Sequence, residues 1–206
     1  MKKIIIVGAG GFGREAYYLI RDINKVQPTW DLVGFLDDRI KSLNDKKINV
    51  PILSTVEAWN PADDEYFILG IASPRTKEIV ANKLKAKGAK FATLISPMAS
   101  VNETAEIGEG CVVSGGSIGD CTKLGNFVHI AGSMIGQDVV IGDYSTTTGF
   151  VNIPKGTIGR RVFIGSHAVI LNDLEDDVEV VSGSVVFHKI KAGYKVMGYP
   201  AKKIVL

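Results

Sequence analysis

The residues best suited to bind a ligand come near the amino terminus, where Gly8, Gly10, Gly11 and Gly13 follow an apolar run of isoleucine and valine. Glycines let the backbone approach a phosphate closely, and the N–H groups at the start of a helix direct partial positive charge at it. These glycines lie between a predicted strand and a helical pattern, which is the context that favours phosphate binding. A tight connection between strand and helix with no ligand is the alternative.

Two carboxylates, Asp37 and Asp38, end the second predicted strand, about 25 residues beyond the glycines. In a Rossmann-like fold a carboxylate at this position accepts hydrogen bonds from a ribose or from the edge of a base. A solvated turn explains the pair equally well, so the sequence leaves both interpretations open.

Metal chemistry is not expected from this sequence. The three histidines, His129, His167 and His188, are scattered and lack the spacing of zinc ligands. The two cysteines, Cys111 and Cys121, are too few for a cysteine zinc site or a disulfide framework. We expect both cysteines to be small buried residues in a protein of the reducing cytosol.

Composition narrows the set of partners. The chain has 24 Lys and Arg against 22 Asp and Glu, and this balance favours no polyanion, so nucleic acid is not an expected partner. No run approaches the ~20 apolar residues that cross a bilayer, and the first apolar run is too short for a signal peptide. We therefore expect a cytoplasmic protein that binds neither nucleic acid nor membrane.

Residues 1–96 alternate short apolar runs with helical patterns, which is typical of βαβ units and a parallel sheet. Strands are predicted at 3–7, 32–36, 66–71 and 91–94, and helices at 14–24 and 75–87. This length holds only half of a doubly wound fold, which disfavours a dehydrogenase. We predict a small Rossmann-like domain over residues 1–96.

The sequence pattern changes in residues 97–206, where a branched residue, in most cases apolar, recurs every five or six positions and is often followed by glycine. The repeat positions are Ile107, Val113, Ile118, Leu124, Ile130, Ile135, Ile141, Thr147, Ile153, Ile158, Ile164 and Ile170. Such a hexapeptide repeat predicts a parallel β-helix, whose coils must stack to bury their apolar residues, whereas a sandwich would show period two. Because its flat outer faces need cover, we expect this domain to form trimers.

Three segments together resemble the bacterial sugar acetyltransferases of the sialic-acid O-acetyltransferase type. They run from Ile5 to Glu15, from Gly34 to Asp38 and from Val196 to Lys203. The resemblance covers essentially the whole chain and implies a Rossmann-like α/β domain followed by a left-handed parallel β-helix. It also implies a homotrimer that binds a nucleotide-linked sugar in the N-terminal domain and acetyl-CoA between adjacent β-helices. The expected reaction is direct transfer of the acetyl group to a sugar amine or hydroxyl.

The resemblance also assigns residues to the two substrates. Expected nucleotide contacts are Gly8, Gly10, Gly11, Phe12, Gly13, Asp37, Asp38, Ala72, Ser73 and Arg75. Expected acetyl-CoA contacts are Thr146, Ser166, His167, Ala168, Gly183 and Ser184.

The pattern breaks at the catalytic position. In the related enzymes a histidine followed by an acidic residue acts as the base, just before a Val-Ile-Gly hexapeptide, and here Gln137 and Asp138 occupy those positions. A carboxamide cannot take up a proton near neutral pH, so Gln137 serves at most to position a substrate. A second position that often carries histidine in the relatives is Thr146.

Three explanations remain for this break. His129 lies one coil of 17 residues before Thr146 and either acts as the base from beneath it or is an outward corner residue without a role. Alternatively, an acceptor amine that arrives uncharged needs only orientation and an oxyanion donor. Finally, the chain binds nucleotide sugar or CoA without efficient turnover.

A different substrate is disfavoured. An acyltransferase that acted on a small amino acid or an antibiotic would have no use for the N-terminal domain.

Overall fold

A computed structural model describes residues 1–204, which begin with a five-stranded parallel sheet and two helices. The elements are β1 (Lys2–Val7), α1 (Gly11–Val26), β2 (Trp30–Leu36), β3 (Ile52–Ser54), β4 (Glu65–Leu69), α2 (Pro74–Ala86) and β5 (Lys90–Phe91). The strand order is β3-β2-β1-β4-β5, so β1 is central. Its residues are buried on both faces: Ile4 and Ile6 pack with α1, while Ile5 and Val7 pack with α2.

The predicted Rossmann-like arrangement is confirmed, with two differences in its elements. The sequence did not predict β3, a three-residue strand that pairs with β2. The strand predicted at 91–94 is wrong, because it is two strands in different sheets. Ala92 still donates to Phe67 of β4, whereas the amide of Leu94 donates to Cys111, beyond the α/β sheet.

Two glycines allow α1 to lie directly against the sheet. A Cβ on Gly13 would lie 1.8 Å from the carbonyl oxygen of Gly8, and a Cβ on Gly70 would lie 2.3 Å from Cα of Gly13. By contrast, Gly10 and Gly11 have open space at the same position. The glycine-rich segment therefore has two parts, since Gly13 is needed for packing and only Gly10 and Gly11 leave room for a ligand.

The remainder of the chain winds through three parallel sheets in turn. Sheet I contains β6 (Leu94–Ile95), β9 (Val112–Val113), β12 (His129–Ile130), β15 (Thr146–Thr147), β18 (Phe163–Ile164), β20 (Glu179–Val180), β22 (Lys195–Gly198) and β23 (Ala201–Lys203). Sheet II contains β7 (Ser100–Val101), β10 (Gly116–Ile118), β13 (Ser133–Ile135), β16 (Asn152–Ile153), β19 (Val169–Ile170) and β21 (Val185–Val186). Sheet III contains β8 (Glu106–Ile107), β11 (Lys123–Leu124), β14 (Val140–Ile141) and β17 (Thr157–Ile158). All pairs are parallel except the closing hairpin β22–β23.

The hexapeptide repeat is confirmed as the pattern of this coil. Every predicted repeat position from Val113 to Ile170 is buried in the shared core, or beside it in the case of Thr147, and Ile107 is partly buried against it. In-register pairs such as Ile118 with Ile135 show that each residue stacks on its equivalent in the next coil.

One corner of the coil faces the N-terminal domain. Phe127 and Tyr144 stack there in successive coils with ring centroids 5.3 Å apart, and Phe91 of β5 meets the edge of Phe127 at 4.9 Å. In the next coils Arg161 forms ion pairs with Glu78 of α2 and with Asp177. The two domains are therefore joined by an aromatic contact at one level and an ionic contact at the next.

The expectation for the cysteines is half wrong. Cys111 is buried in the coil, but Cys121 is exposed at a corner, where its φ of 52° places it in the left-handed region. Both are free thiols. Within residues 1–204 no helix is long and apolar enough to span a bilayer.

Candidate functional site

The candidate site of the N-terminal domain is a cavity of about 510 Å³ at the carboxyl ends of β1, β2 and β4. In open α/β sheets ligands bind where the strand order reverses, and here β2 and β4 flank β1 on opposite sides. Seven residues that the sequence assigned to a nucleotide line this first cavity: Gly8, Gly10, Gly11, Phe12, Asp37, Asp38 and Ala72. Of the other three, Gly13 packs α1 against the sheet, while Ser73 and Arg75 line a neighbouring cavity.

The two aspartates differ in what they contact. Asp37 is buried, and its carboxylate accepts hydrogen bonds from the backbone N–H of Ala9 at 2.7 Å and of Arg39 at 2.8 Å. Burial raises the pKa of Asp37, but the hydrogen bonds from Ala9 and Arg39 together outweigh it and hold the pKa below its usual value. Asp38 is exposed at the cavity wall. Asp37 therefore holds the glycine-rich turn, and Asp38 is the carboxylate open to a ligand.

Sequence analysis assigned no ligand contact to the other eight lining residues of the first cavity, which include Arg39, Ile71 and Thr76. Arg39 directly follows the two aspartates, so its position at the end of a parallel strand was available as a signal. Thr76 lies in the first turn of α2, where its backbone N–H donates to the capping hydroxyl of Ser73.

A second cavity of about 440 Å³ lies between the start of α2 and the coil. It shares Ala72 with the first cavity and contains Ser73 and Arg75 from the N-terminal domain. The coil contributes Arg161, Phe163, Asp177, Val178 and Glu179, none of which the sequence singled out. Arg75 bonds to Asp177 at 3.2 Å, so this cavity is lined by an ion-pair network and one aromatic ring.

The catalytic position of the resemblance lies elsewhere on the coil. Gln137 and Asp138 are exposed in the turn between β13 and β14, beside a cavity of about 310 Å³. Its lining residues belong to the coil alone, among them Ser117, Met134 and Asn152. The chain thus does not bring Gln137 to the first cavity.

His129 and Thr146 are covered by the N-terminal domain. His129 pairs with Thr146 in the register of β12 and β15, as predicted, but it is 1% exposed and so is not an outward corner residue. Neither of its ring nitrogens has a hydrogen-bond partner among the described residues, and the edge of Phe12 lies against the ring at 4.5 Å. Thr146 was expected to line the acetyl-CoA groove; instead it is fully buried and accepts a hydrogen bond from Lys77.

Lys77, on α2, is the most unusual group that sequence analysis missed. Its Nζ donates to Oγ1 of Thr146 at 2.8 Å and to the carbonyl of Ser145 at 3.2 Å. Burial lowers the pKa of Lys77 to about 7. Burial, and then the charge of Lys77, also lower the pKa of His129 well below its usual value.

The other residues expected to bind acetyl-CoA lie in two adjacent coils. Ser166 and His167 form a corner with Phe150, and the rings of His167 and Phe150 stack with centroids 5.1 Å apart. Gly183 donates to the carbonyl of Ser166, one level further along. Ala168 and Ser184 are fully buried, so their side chains contribute to the core rather than to a surface groove. No group of three or more metal-ligating side chains occurs among residues 1–204.

Fold and cavities define a class of two-domain proteins in which a Rossmann-like domain precedes a hexapeptide-repeat parallel β-helix. Residues 3–84 match the family model of the PglD N-terminal domain. Over 115 residues the chain is 30% identical to UDP-N-acetylbacillosamine N-acetyltransferase of Bacillus subtilis, an alignment that covers 55% of this chain and 51% of that enzyme. The match thus spans about half the length of this curated relative.

Two solved structures share the whole fold. The acetyltransferase domain of PglB from Neisseria gonorrhoeae, in complex with acetyl coenzyme A, superposes with a TM-score of 0.87 at 24% identity, covering 98% of this chain and 99% of that one. PerB from Caulobacter crescentus, in complex with CoA and GDP-perosamine, superposes with a TM-score of 0.84 at 20% identity, covering 100% and 98%. At these identities the likeness establishes the fold.

Proposed function

We propose that this protein is an acetyltransferase that moves the acetyl group of acetyl-CoA directly to an amine or hydroxyl of a nucleotide-linked sugar. The observation that carries the proposal is the joining, in one chain, of a glycine-lined cavity at a strand switch point to a hexapeptide coil. Relatives with this fold include structures holding acetyl-CoA, or CoA with a nucleotide sugar. No covalent intermediate and no metal are needed, because the sugar nucleophile attacks the thioester itself.

In this proposal residues 1–96 hold the nucleotide and residues 97–206 hold acetyl-CoA. Gly10, Gly11 and Phe12 face the nucleotide in the first cavity, and the carboxylate of Asp38 accepts hydrogen bonds from the ribose or the base. Ala72, Ser73 and Arg75 continue this surface toward the second cavity. Strand β6 pairs with β9 of the coil, so the contact between the two domains begins at Leu94.

The absence of a histidine at Gln137 defines the chemistry we propose. His129 is a poor base for a bound sugar, because its nitrogens are buried and Phe12 covers its ring. We favour an acceptor amine that reaches the site uncharged and is oriented by hydrogen bonds from Gln137, supplied across the proposed trimer interface. As the new C–N bond forms, the thioester C–S bond breaks, and the neighbouring Asp138 relays the proton from the amine to the departing CoA thiolate.

Acetyl-CoA is proposed to lie along the corner formed by Ser166, His167 and Gly183, and a homotrimer of left-handed coils is part of the same proposal. Exposed apolar side chains support the trimer: Met134 of sheet II and Val140 of sheet III stand open on the outer faces of the coil. The two free thiols suit the reducing cytosol proposed as its location. A monomeric mass measured by light scattering would contradict the proposed trimer.

The direct test is incubation of the protein with acetyl-CoA and with UDP- or GDP-linked amino sugars, following loss of the thioester absorbance. Turnover that depends on the sugar supports the enzyme. Calorimetric titration with each substrate gives the second readout. A protein that binds the nucleotide sugar but neither binds acetyl-CoA nor consumes it is a nucleotide-sugar binder, and the proposal would then be wrong.

A further inference from the structure

Two buried basic side chains meet where the N-terminal domain contacts sheet I. Lys77 and His129 are each 1% exposed, one from α2 and the other from β12. They are linked through Thr146, which bonds to Lys77 and is the register partner of His129. Phe12, from the start of α1 and the wall of the first cavity, rests against His129. This group, Phe12, Lys77, His129 and Thr146, is called the interdomain cluster.

The interdomain cluster contains no acidic partner. Within residues 1–204, Lys77 forms no ion pair, and its hydrogen bonds go to the neutral acceptors Thr146 and Ser145. The titratable group that affects Lys77 from the coil is the thiol of Cys111, and burial raises its pKa to about 11, so the thiol stays neutral. On α2 the adjacent Glu78 is bonded to Arg160 and Arg161 instead.

A positive charge on either Lys77 or His129 is therefore unfavourable at this interface. A proton on Lys77 places an uncompensated cation in the contact, and a proton on His129 adds a like charge beside it. Asp143, the carboxylate at the neighbouring coil corner, is bonded to Arg160 and to the amide of Asn126. Among residues 1–204, no carboxylate forms a hydrogen bond or an ion pair with Lys77 or His129.

We infer that Lys77 and His129 are positioning residues that hold α2 and Phe12 on the coil while both are uncharged, and that acid loosens this contact. The position of Phe12 then depends on pH, and with it the shape of the first cavity. The interface part of this inference is independent of the proposed function. Only its effect on ligand affinity rests on the nucleotide binding proposed above.

The direction of the effect follows from the lowered pKa values. Between about pH 10 and pH 7 the folded protein binds fewer protons at Lys77 than the unfolded chain does, so stability falls as the pH falls in that window. Below about pH 6.5 the unfolded chain protonates its histidines while His129 stays neutral in the fold, and stability falls again. For one group the change in the unfolding constant is at most about tenfold per pH unit.

The first experiment is denaturant unfolding from pH 5.5 to pH 10 for the wild type, Lys77→Met, His129→Leu and the control Lys83→Met. Lys83 is an exposed lysine of the same helix, paired with Glu57. We expect Lys77→Met to lose the alkaline pH dependence that Lys83→Met retains. Equal slopes for the wild type and Lys77→Met would overturn the inference.

His129→Leu keeps the inference testable if Lys77→Met fails to fold. This variant removes two unpaired buried nitrogens, so we expect it to be more stable than the wild type at pH 5.5, with the advantage shrinking above pH 7. Equal or lower stability of His129→Leu at pH 5.5 would contradict a neutral His129 in the contact.

The second experiment measures calorimetric binding of UDP and GDP at pH 6 and pH 8. Between pH 8 and pH 6 we expect the wild type and Lys83→Met to lose about fivefold or more in affinity relative to Lys77→Met, which lacks the buried lysine whose pKa of about 7 lies in this range. The titration of the phosphates is common to all variants. The same pH dependence in Lys77→Met would overturn the link between protonation of the cluster and the Phe12 wall of the first cavity. If the wild type binds neither nucleotide at pH 8, the proposed function fails, while the unfolding data still decide the contact.

Discussion

His129 and Thr146 occupy the same position in successive coils, paired across β12 and β15 and both buried beneath the N-terminal domain. Their stacking follows from the repeat, since 17 residues make one coil at this level. Their environment does not follow from the repeat, because it depends on α2 delivering Lys77 to this face. The pair therefore belongs to the contact between the domains rather than to an open groove.

Replacing Gln137 by histidine tests whether the missing base limits the rate. An imidazole at this exposed turn, followed by Asp138, supplies a general base, which contributes about 10²–10⁴-fold where it acts in the transition state. We expect Gln137→His to raise the rate of acetyl transfer to an amino sugar at least about tenfold near pH 7.5. The readout is loss of thioester absorbance under saturating substrates.

Gln137→Asn serves as the matched control, because it keeps the carboxamide and shortens its reach. It should lower the rate without changing the affinity for UDP or GDP, which the first cavity determines. If Gln137→His leaves turnover unchanged while binding acetyl-CoA normally, the base is not what limits this protein.

The two aspartates should separate stability from binding. Asp37→Asn removes a carboxylate that accepts from the amides of Ala9 and Arg39, so we expect a loss of about 1–3 kcal/mol in unfolding free energy at pH 7. Because the pKa of Asp37 is lowered in the fold, this stabilisation is present above the ordinary value of 3.8 and is lost as the pH falls through the folded pKa. The difference from the wild type should therefore shrink below about pH 4 in urea unfolding curves.

Asp38→Asn is the companion variant. Asp38 is exposed at the cavity wall, so its replacement should leave the unfolding free energy within about 0.5 kcal/mol and weaken nucleotide binding. A large loss of stability in Asp38→Asn, or none in Asp37→Asn, would reverse the roles assigned to the two side chains.

The fold was largely predictable because each part has a local signature. The hexapeptide period sets the inward positions from Val113 onward, and the glycine turn after β1 sets the strand-to-helix unit. The resemblance to the sugar acetyltransferases also pointed to Gln137, because it implies a histidine at that position. The contact between the domains was not, since Lys77 looks like one of several lysines on an amphipathic helix, and its burial depends on sheet I lying above it.

The thiols offer a simple check of the coil geometry. Cys111 is fully buried and burial raises its pKa to about 11, whereas Cys121 is exposed at a corner. Because the thiolate is the reactive form, we expect an aromatic disulfide reagent at pH 8 to modify one thiol per native chain and two after denaturation. Mass spectrometry should assign the fast site to Cys121. Rapid modification of Cys111 in the native protein would show that this coil is not packed as described.

Gly13 and Gly11 make a matched pair, because the same substitution meets backbone at Gly13 and open space at Gly11. A methyl group at Gly13 would meet the carbonyl oxygen of Gly8 at 1.8 Å, and backbone cannot rotate away as a side chain does. We expect Gly13→Ala to reduce the unfolding free energy by at least about 2 kcal/mol, since α1 must move off the sheet. Gly11 has open space and begins α1, so Gly11→Ala should leave stability unchanged or raise it by up to about 1 kcal/mol.

Nucleotide binding should be affected by the variant that leaves stability intact, which is Gly11→Ala. The methyl group of Gly11→Ala enters the first cavity, and we expect a loss of affinity for UDP or GDP in a protein of normal stability. Calorimetric titration beside denaturant unfolding measures both quantities on the same samples. If Gly11→Ala binds nucleotide as the wild type does, then Gly11 is only a turn residue, and the glycine-rich segment serves packing through Gly13 rather than a ligand.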